Sequence, residues 1–222
     1  MVKIVELIVF AVSAAAFGYG AARLFREGTP KFFQLFVWAA GCYMIEELWV
    51  IVNALFGNGT QDGLVTVRLF GFFGCMCFML SASSSEFDRM ADDGQHKKAK
   101  LLALLAPAVL LGIYIIYTLV PENKASLFSH ITGFISIAPA LFAAFFNLKH
   151  LLLSEDETGY LKLTRGIDIL SLVFYAGNYL YPMAFLYCSS FAMSVYDIFL
   201  AAILLAIVLL CVRGAKKWKT SI

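Results

Sequence analysis

Long apolar blocks parted by short charged stretches constrain this chain more than any other feature of its sequence. Each block approaches the about 17–25 residues that a helix needs to cross a hydrocarbon layer roughly 30 Å thick. In lipid the backbone polar groups must be satisfied internally, so such blocks are helices. The blocks read as Ile4–Leu24, Phe32–Phe56, Val65–Ser85, Leu101–Val120, Leu127–Leu148, Ile167–Tyr187 and Ala192–Val212. With 61% apolar and 14% charged residues, the chain carries more apolar surface than one soluble core can hide. The expected fold is all-α, a seven-transmembrane-helix bundle forming one integral membrane domain over residues 1–222.

Orientation follows from where the basic residues fall. Arg23, Arg26 and Lys31 lie between the first two blocks, and Arg89, Lys97, Lys98 and Lys100 between the third and fourth. Lys149, Lys162 and Arg165 separate the fifth and sixth, while Arg213, Lys216, Lys217 and Lys219 follow the seventh. Lys3 and Lys124 fall on the other side, and Arg68 falls inside a block. The positive-inside rule then places the amino end outside and the carboxyl end in the cytoplasm of a multi-pass protein of the cell membrane. Net charge of +2 reports this topology, and no nucleic acid is expected as a partner. The first block is expected to stay as an uncleaved anchor. Asn58-Gly59-Thr60 reads as a turn. The five cysteines form no CxxC pair and read as small packing residues; no metal site or cofactor is expected.

Small residues at four-residue spacing mark where helices can touch. Ala14, Gly18 and Ala22 form one such face, and Gly71, Gly74 and Cys75 mark the third block. Pro107, Pro139 and Pro182 each remove a backbone hydrogen bond and are expected to kink their helices.

Ionisable side chains at membrane depth carry the functional signal, because each costs roughly 2.5–3.5 kcal/mol on insertion scales unless it faces water or a partner. Glu46 and Glu47 in the second block, Arg68 in the third, His130 in the fifth and Asp197 in the seventh share the outer half. In the sixth block Asp168, Ser171, Tyr175, Asn178, Tyr179 and Pro182 follow helical spacing and form one polar stripe. A weaker polar face in the fifth block lies above Asn147 and His150. If all are ionised and His130 is neutral, Glu46, Glu47 and Asp197 outnumber Arg68 by two charges. Low dielectric makes that surplus costly, so the carboxylates are protonated or a cation is bound. The expected site is an outward-facing acidic and aromatic cavity formed by Glu46, Glu47, Arg68, His130, Tyr175, Asn178, Tyr179 and Asp197, with Trp49 near by for cation–π contact. The competing reading is structural, with Arg68 paired to one glutamate and the other protonated.

Arg68, Tyr181-Pro182 and Asp197 resemble residues of the microbial rhodopsins, as does the topology. Ala201 occupies the place of that family's retinal-bearing lysine and Gly71 that of its third-helix aspartate, so a retinal pigment is not implied. Glu46-Glu47 is similar to the paired glutamates of intramembrane CAAX-type proteases, but Ile51 replaces the arginine that should follow. Pro-Gln pairs, the mark of the PQ-loop transporters, are missing. The function expected is binding or transport of a small cationic or proton-coupled solute. The alternatives are a sensor or receptor signalling through a membrane or cytoplasmic protein, and an intramembrane enzyme. The lipid bilayer is a partner in every case.

Overall fold

The computed structural model describes residues 4–56, 61–85, 88, 96–120, 123, 126–153 and 160–221, with the side chains of 61–69, 128–129, 160–163 and 219–221 excepted. The turn expected at Asn58-Gly59-Thr60 lies outside these residues. All described secondary structure is helical: α1 (Ile4–Leu24), α2 (Lys31–Phe56), α3 (Gln61–Ser83), α4 (Lys97–Ala103), α5 (Leu105–Leu119), α6 (Leu127–Leu152), α7 (Tyr160–Tyr187) and α8 (Ser190–Ser221). Counting α4 and α5 as the single rod Lys97–Leu119, six helices are long and apolar enough to span a membrane. The described apolar part of α3, Phe70–Ser83, is shorter.

Several helices outrun the apolar blocks. The seventh block ends at Val212, yet α8 continues to Ser221 through Lys216 and Lys217. Its 32 residues reach roughly 48 Å at 1.5 Å per residue, more than a hydrocarbon core is thick. Hydropathy marks where lipid ends, not where a helix must stop, and lysine is a good helix former in water.

The three prolines occupy different helical positions. Pro107 is the third residue of α5, and the break from α4 falls at Leu104, whose N–H bonds the Leu101 carbonyl at 3.3 Å. A proline in a first turn gives up an N–H that has no helical partner anyway, so a new helix starts there. Pro139 and Pro182 lie inside α6 and α7.

The helices close into a ring in which α1 packs on α2 and α8, α2 on α3, α3 on α6, α6 on α7 and α7 on α8. The helix α5 braces this ring against α6 and α7. Inside lie Phe33, Phe36, Met76, Met79, Phe174 and Leu204, all at most 1% exposed. Large apolar side chains such as Trp38, Phe70, Ile116, Phe142 and Phe199 instead cover the outer surface. Exposed apolar area of this extent suits contact with lipid rather than water.

The contact face of α1 differs from the one read in the sequence. Gly18 has no atom within 4 Å of its would-be Cβ, and Gly18 and Ala22 are exposed. Val9, Ser13, Ala16, Gly20 and Leu24 are the buried residues instead. Both faces of α1 are apolar and rich in small residues, and in lipid apolarity does not tell inside from outside. At Gly20 an added Cβ would stand 2.8 Å from Val37 Cγ2 and 2.9 Å from Val208 Cγ1, where α1 meets α2 and α8. Gly20→Leu should therefore lower the thermal unfolding temperature in detergent, with an overpacking cost of about 1–3 kcal/mol. Gly18→Leu should leave it near the wild-type value.

Candidate functional site

The ring encloses a partly open cavity of about 360 Å³. Its walls come from one half of the bundle. The middle and C-terminal half of α2 supply Tyr43, Glu46 and Glu47, and the C-terminal halves of α5 and α7 supply Tyr114 and Tyr117, then Asn178, Tyr181 and Pro182. The N-terminal halves of α6 and α8 supply His130, Gly133, Ser136 and Ile137, and then Asp197 and Leu200; Phe72 comes from α3. Because they line one cavity, these parts of the helices lie at the same level, away from the ends that carry most of the described basic residues.

Close backbone contacts hold the acidic wall in place. An added Cβ on Gly71 would lie 2.8 Å from the Glu46 Cβ and 3.1 Å from the Cys42 carbonyl oxygen. The helix α3 can therefore press against α2 at the height of Glu46 only because residue 71 has no side chain. Gly177 faces α8 as closely, with 2.6 Å to Leu200 Cδ2, although that is the end of a side chain that can turn aside. The Tyr196 hydroxyl donates to the Gly177 carbonyl at 2.7 Å, tying α8 to α7 one residue from Asp197 and one from Asn178.

Tyrosines fix the remaining walls. The Tyr114 hydroxyl donates to the His130 carbonyl at 2.5 Å, joining α5 to α6. The Tyr117 ring meets the His130 imidazole edge-on at 5.8 Å between centroids. The Ser136 hydroxyl turns back to the Gly133 carbonyl at 2.6 Å, and the Asn178 amide donates to the Phe174 carbonyl at 2.8 Å. Pro182 has no N–H to offer the Asn178 carbonyl four residues earlier, so that acceptor lacks its helical partner beside the cavity.

Of the residues read from the sequence, Glu46, Glu47, His130, Asn178 and Asp197 come together around this one cavity. The Arg68 side chain lies outside those described. Tyr175 and Tyr179 do not line the cavity: both are fully buried in the core. Tyr175 stands one turn below Asn178, under the floor, with its ring 6.5 Å from Phe174. Tyr179 lies a third of a turn round from Asn178 and is fixed behind the wall, donating to the Ile137 carbonyl at 3.1 Å. Trp49 is likewise absent from the lining. The aromatic character comes instead from Tyr43, Phe72, Tyr114, Tyr117 and Tyr181. Helical spacing puts Tyr43 on the face of Glu46, and Tyr181 precedes Pro182, but the sequence gives little sign of Phe72, Tyr114 and Tyr117, since aromatic residues are common wherever a helix meets the membrane interface.

Among the described residues the lining holds three carboxylates, one imidazole and no lysine or arginine. Glu46 and Glu47 are buried, at 5% and 9% exposure, whereas Asp197 is half-buried. Carboxylates placed together in a low-dielectric wall repel one another, and a cation or proton among them relieves that repulsion. No group of three or more potential metal ligands occurs among the described residues. No family model, curated protein or solved structure matches this chain.

Proposed function

We propose that the protein is a multi-pass protein of the cell membrane, with seven transmembrane helices, its amino end outside and its carboxyl end in the cytoplasm. We further propose that its outward-facing cavity binds or transports a small cationic or proton-coupled solute, and that a small organic cation fits it best. The observation that carries this reading is the lining, with Glu46, Glu47 and Asp197 set among five aromatic side chains. Carboxylates supply the charge a cation needs, and aromatic faces attract the same charge through their quadrupole. At about 360 Å³, the cavity sits at the small end of the roughly 300–1,000 Å³ that ligand pockets occupy. That size suits an ammonium or guanidinium compound of a few heavy atoms better than a lipid or peptide.

The test is a thermal-stability screen of the purified protein against small ammonium and guanidinium compounds, followed by flux of any hit into proteoliposomes. A ligand present at about a hundred times its Kd stabilises by about 2.7 kcal/mol, which a melting curve resolves. A panel in which neither class moves the transition would defeat the cation reading. Binding without flux would remove transport and leave recognition.

A further inference from the structure

The other half of the bundle holds a second group of buried polar side chains that the cavity does not use. His150 near the end of α6 is 1% exposed and stands between two carboxylates. Its Nε2 is 2.9 Å from Asp88 Oδ1, and its Nδ1 is 3.5 Å from Asp168 Oδ1 on α7. Lys149, 3% exposed, also contacts the Asp88 carboxylate. Burial works against the charge on Asp88, but the hydrogen bonds and charges of His150 and Lys149 outweigh it and hold that carboxyl below the usual aspartate range. An ionised carboxylate only accepts, so the proton on Nε2 points to Asp88 and Nδ1 faces Asp168. Two lone pairs would then oppose each other across 3.5 Å unless a proton lies on one of them.

A second observation marks this place as more than an ion pair. Asp168 Oδ2, beside Thr164, and the Ser171 hydroxyl are buried without a well-formed hydrogen bond, and the buried Tyr175 hydroxyl and Asn147 amide face each other, with Ser83 beside them, in the same imperfect way. Asp168 is 2% exposed, and Ser171, Tyr175 and Asn147 are fully buried. Buried polar atoms so imperfectly paired are costly in a dry interior, and ordered water is their usual remedy. Asp168, Ser171 and Tyr175 also lead along one face of α7 toward Asn178, roughly 15 Å away at 1.5 Å per residue, and Asn178 lines the cavity.

We propose that this end of the bundle is a hydrated proton-binding site, in which His150 and Asp168 hold one proton between them and Asn147, Ser171 and Tyr175 bind the waters that deliver it. The proton comes from water, settles between His150 Nδ1 and Asp168 Oδ1, and returns to water. Asp88 and Lys149 complete the charged surroundings. The helix α8 adds Cys211 beside Asp168, α3 adds Cys75 near Tyr175, and α4, packed on α6, carries Lys97, Lys98 and Lys100. The site does not rest on the cation-binding reading.

The full chain in lipid nanodiscs, with isotope-labelled histidine, provides the test. His150→Gln identifies the ring signals among the three histidines. The His150 ring is expected to change protonation state within about pH 4 to about pH 10 although it is buried. Asp168→Asn should move that midpoint by about one pH unit or more, and Asp168→Glu should restore it in part. Water-edited spectra of the wild type should show magnetisation passing from water to the His150 and Tyr175 rings, a readout that needs no variant to fold. A ring that keeps one protonation state throughout, a midpoint indifferent to Asp168→Asn, or rings that receive nothing from water would each overturn the proposal. The Glu46→Gln/Glu47→Gln double variant is expected to leave this titration in place, so this site and the cation site fail separately.

Discussion

Replacing Glu46 and Glu47 together by glutamine should weaken binding of a small organic cation by on the order of a hundredfold or more. Both side chains are buried in the cavity wall, so water and salt screen their charge little. Losing one partner of a desolvated, hydrogen-bonded charge pair costs about 2–5 kcal/mol, and about 2.8 kcal/mol is a hundredfold in Kd. Glutamine has the shape of glutamate, so the cavity and the packing against Gly71 remain. The expected signature is therefore lost affinity with a melting temperature near that of the wild type, because the isosteric amide keeps the shape of the wall. Asp197→Asn should have a smaller effect that fades further in high salt, since Asp197 is half-buried. Titration calorimetry with the best compound from the screen measures all three. Equal affinity in the double variant and the wild type would leave the acidic wall as a structural feature alone.

The fold class was legible because a membrane-spanning helix announces itself by block length, and six of the seven blocks correspond to helices that meet that criterion here. Helix ends and contact faces were less so. Gly18 and Gly20 are both glycines on an apolar helix, and only their neighbours distinguish the exposed one from the one wedged between Val37 and Val208. In the site, ionisable residues were the readable part, since their cost in lipid restricts where they can go: Glu46, Glu47, His130 and Asp197 share one cavity. Aromatic residues have no such restriction. The stripe on α7 is real as a helical face, but one face passes through several surroundings along its length. Asp168 meets His150, Tyr175 is enclosed in the core, and Asn178 reaches the cavity. Periodicity gives the direction of a side chain and says nothing about what stands opposite. Asp88 was invisible for a related reason. It lies between blocks, and its contact with His150 spans 62 positions of sequence.

Gly71 links packing to the site most directly, and its substitution should disrupt both. A methyl at residue 71 would lie 2.8 Å from the Glu46 Cβ, 3.1 Å from the Cys42 carbonyl oxygen and 3.2 Å from the Glu46 Cα. None of these is the free end of a flexible side chain, so the clash is relieved only if α2 and α3 move apart. Gly71→Ala should cost about 1–3 kcal/mol of stability, and Gly71→Val more, since a branched side chain adds volume where there is no space. The helix separation also shifts Glu46 and Glu47 together relative to Asp197 on α8, so cation affinity should fall by about tenfold or more even in the fraction that remains folded. Gly74→Ala provides the contrast one turn along the same interface. Its new methyl would meet the Cys42 thiol at 3.0 Å, a side-chain atom that can rotate aside, and Glu46 is not among its neighbours. Thermal unfolding in detergent and cation binding on the two variants therefore separate the effects: the Gly74 change should be mild in both, the Gly71 change severe in both. A Gly71→Ala protein that melts and binds like the wild type would mean that α3 does not press on Glu46, and that the acidic wall is held in some other way.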